Sequence, residues 1–196
     1  MQQPEFTTLS LTLADHIAEV RLNRPDKSNA INEAMWQEIR QAFAWIDATP
    51  EARVAILSGA GKNFCAGIDL AMLAGVQQRI AHADGARSRE ALRRLILDLQ
   101  DCLSSLERCA KPVIAAIQGA CVGGALDLVT CCDLRYASAD ATFSIKEIDI
   151  GMVADVGTLQ RLPRLIGEGQ ARELAYTGRT LNGQEAEKLG LANRLF

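Results

Sequence analysis

Three carboxylates, Asp127, Glu147 and Asp155, each follow or interrupt apolar runs within the stretch GACVGGALDLVTCCDLRYASADATFSIKEIDIGMVADVGT, Gly119 to Thr158. Burying an unpaired carboxylate costs several kcal/mol or forces its pKa upward, so an apolar setting makes each a candidate acid or base. The plain alternative is that one or two of them sit on loop surfaces or cap helices, as most acidic residues do. What favours chemistry is the company they keep. A Gly123-Gly124 pair precedes Asp127, and small residues let a ligand approach backbone N–H groups closely.

A second turn of this kind runs from Gly61 through Lys62, Asn63, Phe64, Cys65, Ala66, Gly67, Ile68 and Asp69 to Leu70. Both turns follow a short apolar run that reads as a buried strand, and the Gly123-Gly124 turn leads into a helix. A helix start offers N–H groups without internal partners. Two such turns side by side would aim two donors at one carbonyl oxygen and stabilise it as an enolate; losing one designed side-chain donor of this type costs roughly 10²–10³-fold in rate. Taken alone, either glycine cluster also fits a tight turn or close packing.

Other chemistries are disfavoured. The only histidines, His16 and His82, lie far apart in sequence and in no metal-ligand spacing, which argues against a His-activated nucleophile and for a metal-free mechanism. Cys65, Cys102, Cys109, Cys121, Cys131 and Cys132 show no CxxC pattern, so reduced thiols of a cytoplasmic-type protein are expected, with no disulfide framework. A net charge of -3 gives no electrostatic case for nucleic acid or an anionic membrane. No apolar run reaches the length of a membrane span, and the start MQQPEFTTLSL has no signal-peptide pattern.

The elements that must position these residues alternate along the chain. His16 to Leu22 places Ala18, Val20 and Leu22 on one side of a strand, followed by a turn at Asn23-Arg24-Pro25-Asp26. A helix is predicted from about Glu33, with Trp36, Ile39, Phe43 and Ile46 at helical spacing and Pro50 just beyond its end. Ala52 to Leu57 and Val113 to Ile117 read as buried strands. Between them, Leu92, Leu95, Ile96, Leu99, Leu103 and Leu106 make the core-facing stripe of a long helix. Short strands are predicted at Leu134 to Ala137 and Thr142 to Ile145, and helices near Gly169 to Thr177 and Gly183 to Leu189. With 196 residues and 48% hydrophobic content, one α/β domain covering 1–196 is the reading.

Several motifs in one order carry a resemblance: Asn23-Arg24-Pro25 through Asn29-Ala30, Phe64-Cys65-Ala66-Gly67-Ile68-Asp69-Leu70, Lys111-Pro112-Val113-Ile114-Ala115-Ala116, Gly123-Gly124 before Asp127, and Leu159-Gln160-Arg161-Leu162-Pro163. From about Leu9 to its last residue the chain resembles the enoyl-CoA hydratase/isomerase (crotonase) superfamily. The resemblance implies a spiral of ββα turns, a coenzyme A thioester as substrate with no separate cofactor, and trimers that pair into hexamers. It places the oxyanion hole at the N–H groups of Ile68 and Gly124. It puts the substrate, coenzyme A included, against Ser28, Ala30, Ala66, Gly67, Ile68, Asp69, Leu70, Ala71 and Gly124. Two departures stand out. Ala125 occupies a position where similar sequences carry a third glycine, a methyl group expected to narrow the hole. The sequence also ends where members of the superfamily continue, so a C-terminal helical segment is expected to be missing.

Within the superfamily the chain is most similar to Δ3,5-Δ2,4-dienoyl-CoA isomerases, because hydratases carry glutamate at the positions of Asp127 and Glu147 and glycine at that of Asp155. The resemblance then implies that Glu147 takes a proton from C2 of a 3,5-dienoyl thioester and Asp155, kept protonated by apolar surroundings, gives one to C6. Asp127 would support both by hydrogen bonding and by tuning its neighbours. Asp69 is read instead as a cap or turn residue, and Asp149 as facing away from Glu147. Two alternatives stay open: an enoyl-CoA hydratase in which Asp127 and Glu147 activate water, and a catalytically silent acyl-CoA-binding homologue.

Overall fold

The computed structural model describes residues 2–196. β1 (Leu9–Ala14) and β2 (Ile17–Leu22) pair as an antiparallel hairpin, and the alternation in β2 buries Ala18, Val20 and Leu22 as expected. A single 3₁₀ turn at Pro25–Lys27 leads to α1 (Glu33–Ala48), which starts where the Asn32 side chain accepts the Met35 N–H at 3.0 Å. β3 (Val54–Gly59) follows, then α2 (Leu70–Arg79) and α3 (Gly85–Arg108).

The remaining elements repeat one pattern. β4 (Val113–Ile117), β5 (Ala120–Val122) and α4 (Gly124–Thr130) make one unit. β6 (Leu134–Ala137) and β7 (Thr142–Ser144) lead through a 3₁₀ turn at Glu147–Ile150 to α5 (Thr158–Ile166) and α6 (Glu168–Thr177). β8 (Leu181–Asn182), α7 (Gly183–Leu189) and β9 (Arg194–Leu195) complete the described chain. The larger sheet has the order β1-β2-β3-β4-β6-β9, parallel from β2 onward, and the smaller sheet has the order β5-β7-β8. Cys65 extends the small layer by a parallel bridge to Cys121 in β5. The chain thus passes from the large sheet to the small layer and back through helices three times, after β3, β4 and β6. This is the spiral of ββα turns that the resemblance implies.

The motifs that carry the resemblance mostly hold this spiral together. Asn29, fully buried at φ 55°, donates through Nδ2 to the carbonyls of Ala60, Asn63 and Phe64 at 2.8, 2.9 and 3.0 Å. Its Oδ1 accepts the Arg24 N–H at 2.9 Å. Arg24 in turn pairs with Asp69 at 2.9 Å, tying the first motif to the loop before α2. Several elements escape periodicity. β5, β8 and β9 have two or three residues each, too few for a pattern. In α5 the internal Pro163 removes a helical donor, which hides the helix from a reading by propensity.

Candidate active site

The two glycine turns meet face to face. Gly67 has φ 89°, and a methyl group placed on it would lie 2.6 Å from the Val122 carbonyl oxygen and 3.4 Å from the Gly124 nitrogen. One placed on Gly124 would lie 3.6 Å from the Ile68 nitrogen. Only glycine allows this approach, and it sets the Ile68 and Gly124 N–H groups next to each other. Among the described residues neither N–H has a hydrogen-bond acceptor: Gly124 opens α4, and the bridge between Ile31 and Ile68 uses the carbonyl of Gly67 and the N–H of Asp69. Both residues line a cavity of about 270 Å³. Two free donors beside one cavity can hold a developing oxyanion.

Glu147 and Asp155 line the same cavity. Glu147 sits against the Gly123 backbone: a methyl on Gly123, at φ 55°, would lie 3.1 Å from Glu147 Oε1. Burial pushes the Glu147 carboxyl above the ordinary range, and the charge of Asp155 adds to the effect; its Oε2 has no hydrogen-bond partner among the described residues. Asp155 is also raised by burial. Asp127 differs. It is fully buried inside α4 and does not line the cavity. Burial raises it to about 7 against hydrogen bonding from Thr158 that lowers it, and the nearby Glu147 charge raises it further. Its Oδ1 accepts the Thr158 N–H at 2.5 Å, while Oδ2 has no partner. Asp127 therefore braces α4 against the start of α5 from behind the oxyanion turn, without lining the cavity itself.

The residues named from the resemblance as substrate contacts divide. Ala66, Gly67, Ile68, Leu70 and Gly124 line the cavity; Ser28, Ala30, Asp69 and Ala71 do not. Asp69 caps α2, accepting the Ala71 N–H at 3.0 Å, and pairs with Arg24. Asp149 points away from Glu147, to Lys146 Nζ at 2.9 Å. Ala125 is fully buried and outside the cavity wall, so its methyl group does not narrow the hole. The long-helix stripe needs a partial correction. Leu103 and Leu106 enter the core as expected, and Leu95 and Leu99 are buried in it too, but these last two also line the cavity together with Leu92 and Ile96. With Trp36 of α1 and Met72, Leu73 and Val76 of α2 they form an apolar wall opposite the carboxylates. Periodicity cannot separate these roles, because core and apolar pocket demand the same side chains.

The comparisons agree with this architecture. A family profile described as Enoyl-CoA hydratase/isomerase matches residues 12–196. The peroxisomal Δ(3,5)-Δ(2,4)-dienoyl-CoA isomerase of Arabidopsis thaliana is 50% identical over 176 residues, covering 89% of this chain and 63% of the plant protein. The mitochondrial Δ(3,5)-Δ(2,4)-dienoyl-CoA isomerase of Homo sapiens is 46% identical over 193 residues, 97% of this chain and 59% of the human protein. The chain thus spans about three fifths of the length of these curated relatives. Among solved structures, an enoyl-CoA hydratase from Bacillus anthracis superposes with a TM-score of 0.86 at 35% identity, covering 97% of this chain and 70% of that one. A putative enoyl-CoA hydratase from Streptomyces coelicolor A3(2) gives 0.89 at 30%, covering 100% and 69%. With the spiral fold and the matched sequence in agreement, the chain belongs to the enoyl-CoA hydratase/isomerase family.

Proposed function

We propose that this chain performs Δ3,5-Δ2,4-dienoyl-CoA isomerisation, moving two double bonds by proton transfer from C2 to C6. The observation that carries the reading is the placement of two carboxyls, Glu147 and Asp155, on one cavity that also holds the unpartnered N–H groups of Ile68 and Gly124. A thioester oxygen held by the two N–H groups makes the C2 proton acidic. Glu147 removes that proton, and the charge spreads from the oxygen along the diene. Asp155 delivers a proton at C6, which leaves the double bonds at C2 and C4. The cycle closes when the proton gained by Glu147 is passed back to Asp155.

Both carboxyls lie above the ordinary range through burial, and the charge of Asp155 raises Glu147 further, which suits a pair that must hold opposite protonation states. A positioned acid or base of this kind contributes roughly 10²–10⁴-fold. The apolar wall from Trp36, α2 and α3 suits a fatty-acyl tail, which supports a role in unsaturated fatty acid breakdown. Coenzyme A enters as part of the substrate, without a separate cofactor, and the turn at Ser28 to Ala30 together with Asp69 and Ala71 is our assignment for its outer contacts. Trimeric or hexameric assembly and a cytoplasmic location complete the reading; the two relatives compared above are named as peroxisomal and mitochondrial proteins.

The test is direct. Purified protein is mixed with 3,5-octadienoyl-CoA, and the ultraviolet absorbance of the conjugated 2,4-dienoyl thioester is followed. A rise that Asp155→Asn and Glu147→Gln each reduce by roughly 10²–10⁴-fold is expected. Hydration of a 2-enoyl-CoA that is insensitive to Asp155→Asn, with no dienoyl turnover, would replace this reading with a hydratase. Tight acyl-CoA binding without either reaction would make the protein a silent binder.

A further inference from the structure

We propose that Gln100 of α3 and Arg161 of α5, itself anchored to the polar edge of α3, are positioning residues for Asp155, gripping its loop so that its carboxyl meets the cavity. The kinetic part of this inference rests on the isomerase reading; the geometric part does not.

Asp155 lies in the stretch between the 3₁₀ turn at Glu147–Ile150 and α5, which contains no helix or strand. Met152 and Val153 in that stretch are exposed, while Ala154 and Val156 on either side of Asp155 are buried and seat its backbone against the core. Among the described residues no other side chain bonds the Asp155 carboxyl. Its aim is therefore set by the backbone that carries it. That backbone is held at three closely spaced points. The Asp155 carbonyl accepts Gln100 Nε2 at 2.5 Å, the Val156 carbonyl accepts Arg161 Nη1 at 3.2 Å, and the Thr158 N–H donates to Asp127 at 2.5 Å.

Arg161 is itself anchored. Its Nη2 donates to Glu107 at 2.7 Å and to Ser104 Oγ at 3.1 Å, and its side chain is only 12% exposed. The guanidinium rests on Gly157, where φ is 130° and a methyl group would lie 1.6 Å from Nη1. Only a glycine admits it there. Gln100, Ser104 and Glu107 fall at i, i+4 and i+7 of α3, one stripe of the helix. α3 thus presents Leu92, Leu95, Ile96 and Leu99 to the acyl cavity and a polar stripe to the Asp155 loop. One rigid helix sets both where the acyl tail lies and where the distal acid stands. Proton delivery at C6 depends on that relation, since a displacement of about 1 Å in reacting geometry costs on the order of 10²-fold in rate.

The experiment uses Gln100→Met, which keeps length but removes the donor, and Arg161→Lys, which keeps charge but removes the fork. Three readouts are taken: steady-state isomerisation of 3,5-octadienoyl-CoA, exchange of its C2 hydrogen with D₂O, and the titration of Asp155 followed by ¹³C NMR of labelled aspartate. Each variant is expected to lower kcat roughly 10–100-fold with KM little changed, to retain C2 exchange through Glu147, and to move Asp155 toward the ordinary carboxylate range. Isomerisation at the wild-type rate with an unmoved Asp155 titration overturns the proposal. Equal losses in isomerisation and C2 exchange also overturn it, because they mark a general structural role. If wild-type protein does not turn over the dienoyl thioester, the functional reading fails separately, and the Asp155 titration alone decides the positioning claim. Gln100 is half-buried, so Gln100→Met decides the matter even if Arg161→Lys does not fold.

Discussion

Replacing Asp127 with asparagine should make the protein more stable at neutral pH and less stable in acid. The carboxyl is fully buried, and burial raises it from an ordinary 3.8 to about 7. A carboxyl raised in the folded state favours folding of its protonated form. Its cost is absent below the unfolded pKa, grows as pH rises between the two values, and is complete above the folded one. Roughly three pH units at about 1.4 kcal/mol each amount to about 4 kcal/mol lost between pH 4 and pH 7. Asparagine keeps an oxygen for the Thr158 N–H but places an NH₂ group where Oδ2 has no partner. That unpaired donor costs about 1–3 kcal/mol at every pH. The variant is therefore expected to be less stable than wild type by about 1–3 kcal/mol near pH 4 and more stable by a similar amount at pH 8. Urea unfolding followed by the fluorescence of Trp36 and Trp45, repeated across this range, measures the difference. A stability difference that stays constant from pH 4 to pH 8 would refute the argument that Asp127 is buried at the expense of its charge.

Two further perturbations test the neighbouring geometry. Gly67→Ala forces a methyl group to within 2.6 Å of the Val122 carbonyl at φ 89°, so it should cost about 1–3 kcal/mol in strain and separate the Ile68 and Gly124 donors. A loss of roughly 10²-fold in kcat is expected, and unchanged turnover in a folded variant would remove the pair from the mechanism. The Cys65 thiol, pushed up to about 12 by burial, accepts the Gly67 N–H at 3.4 Å and donates to the Asn29 carbonyl at 3.1 Å. At pH 8 it and the other four buried thiols should resist a thiol reagent in the native protein while half-buried Cys109 reacts first; mass spectrometry of the modified protein shows the order.

Much of the scaffold was legible because it rests on local rules. The apolar alternation of β2, the helical spacing in α1 and the Pro112-led strand β4 each appear near their predicted places. Asp69 is read from the sequence as a cap or turn residue of its loop, and its side chain does accept the Ala71 N–H. What stayed hidden is short or shared between roles. β5 has three residues, and Pro163 masks α5. Leu92 and Ile96 belong to the same stripe as Leu103 and Leu106, yet only the approach of α2 and α1 makes the first pair a pocket wall and leaves the second pair in the core.

The sequence by itself determined which groups exist to do chemistry: two glycine turns and three carboxylates in apolar surroundings, in an order that resembles one family. Residue type and spacing are local properties, and they survive in one dimension. Tertiary structure decided which of the three carboxylates reaches the cavity. Asp127 is sealed inside α4, while Glu147 and Asp155 open onto the Ile68 and Gly124 donors. It also decided that Gln100 touches the Asp155 loop and that Ser104 and Glu107 anchor Arg161 there, across sequence separations that no local pattern records. The physical reason is that access and desolvation depend on what packs around a group, and a folded chain assembles that packing from distant segments.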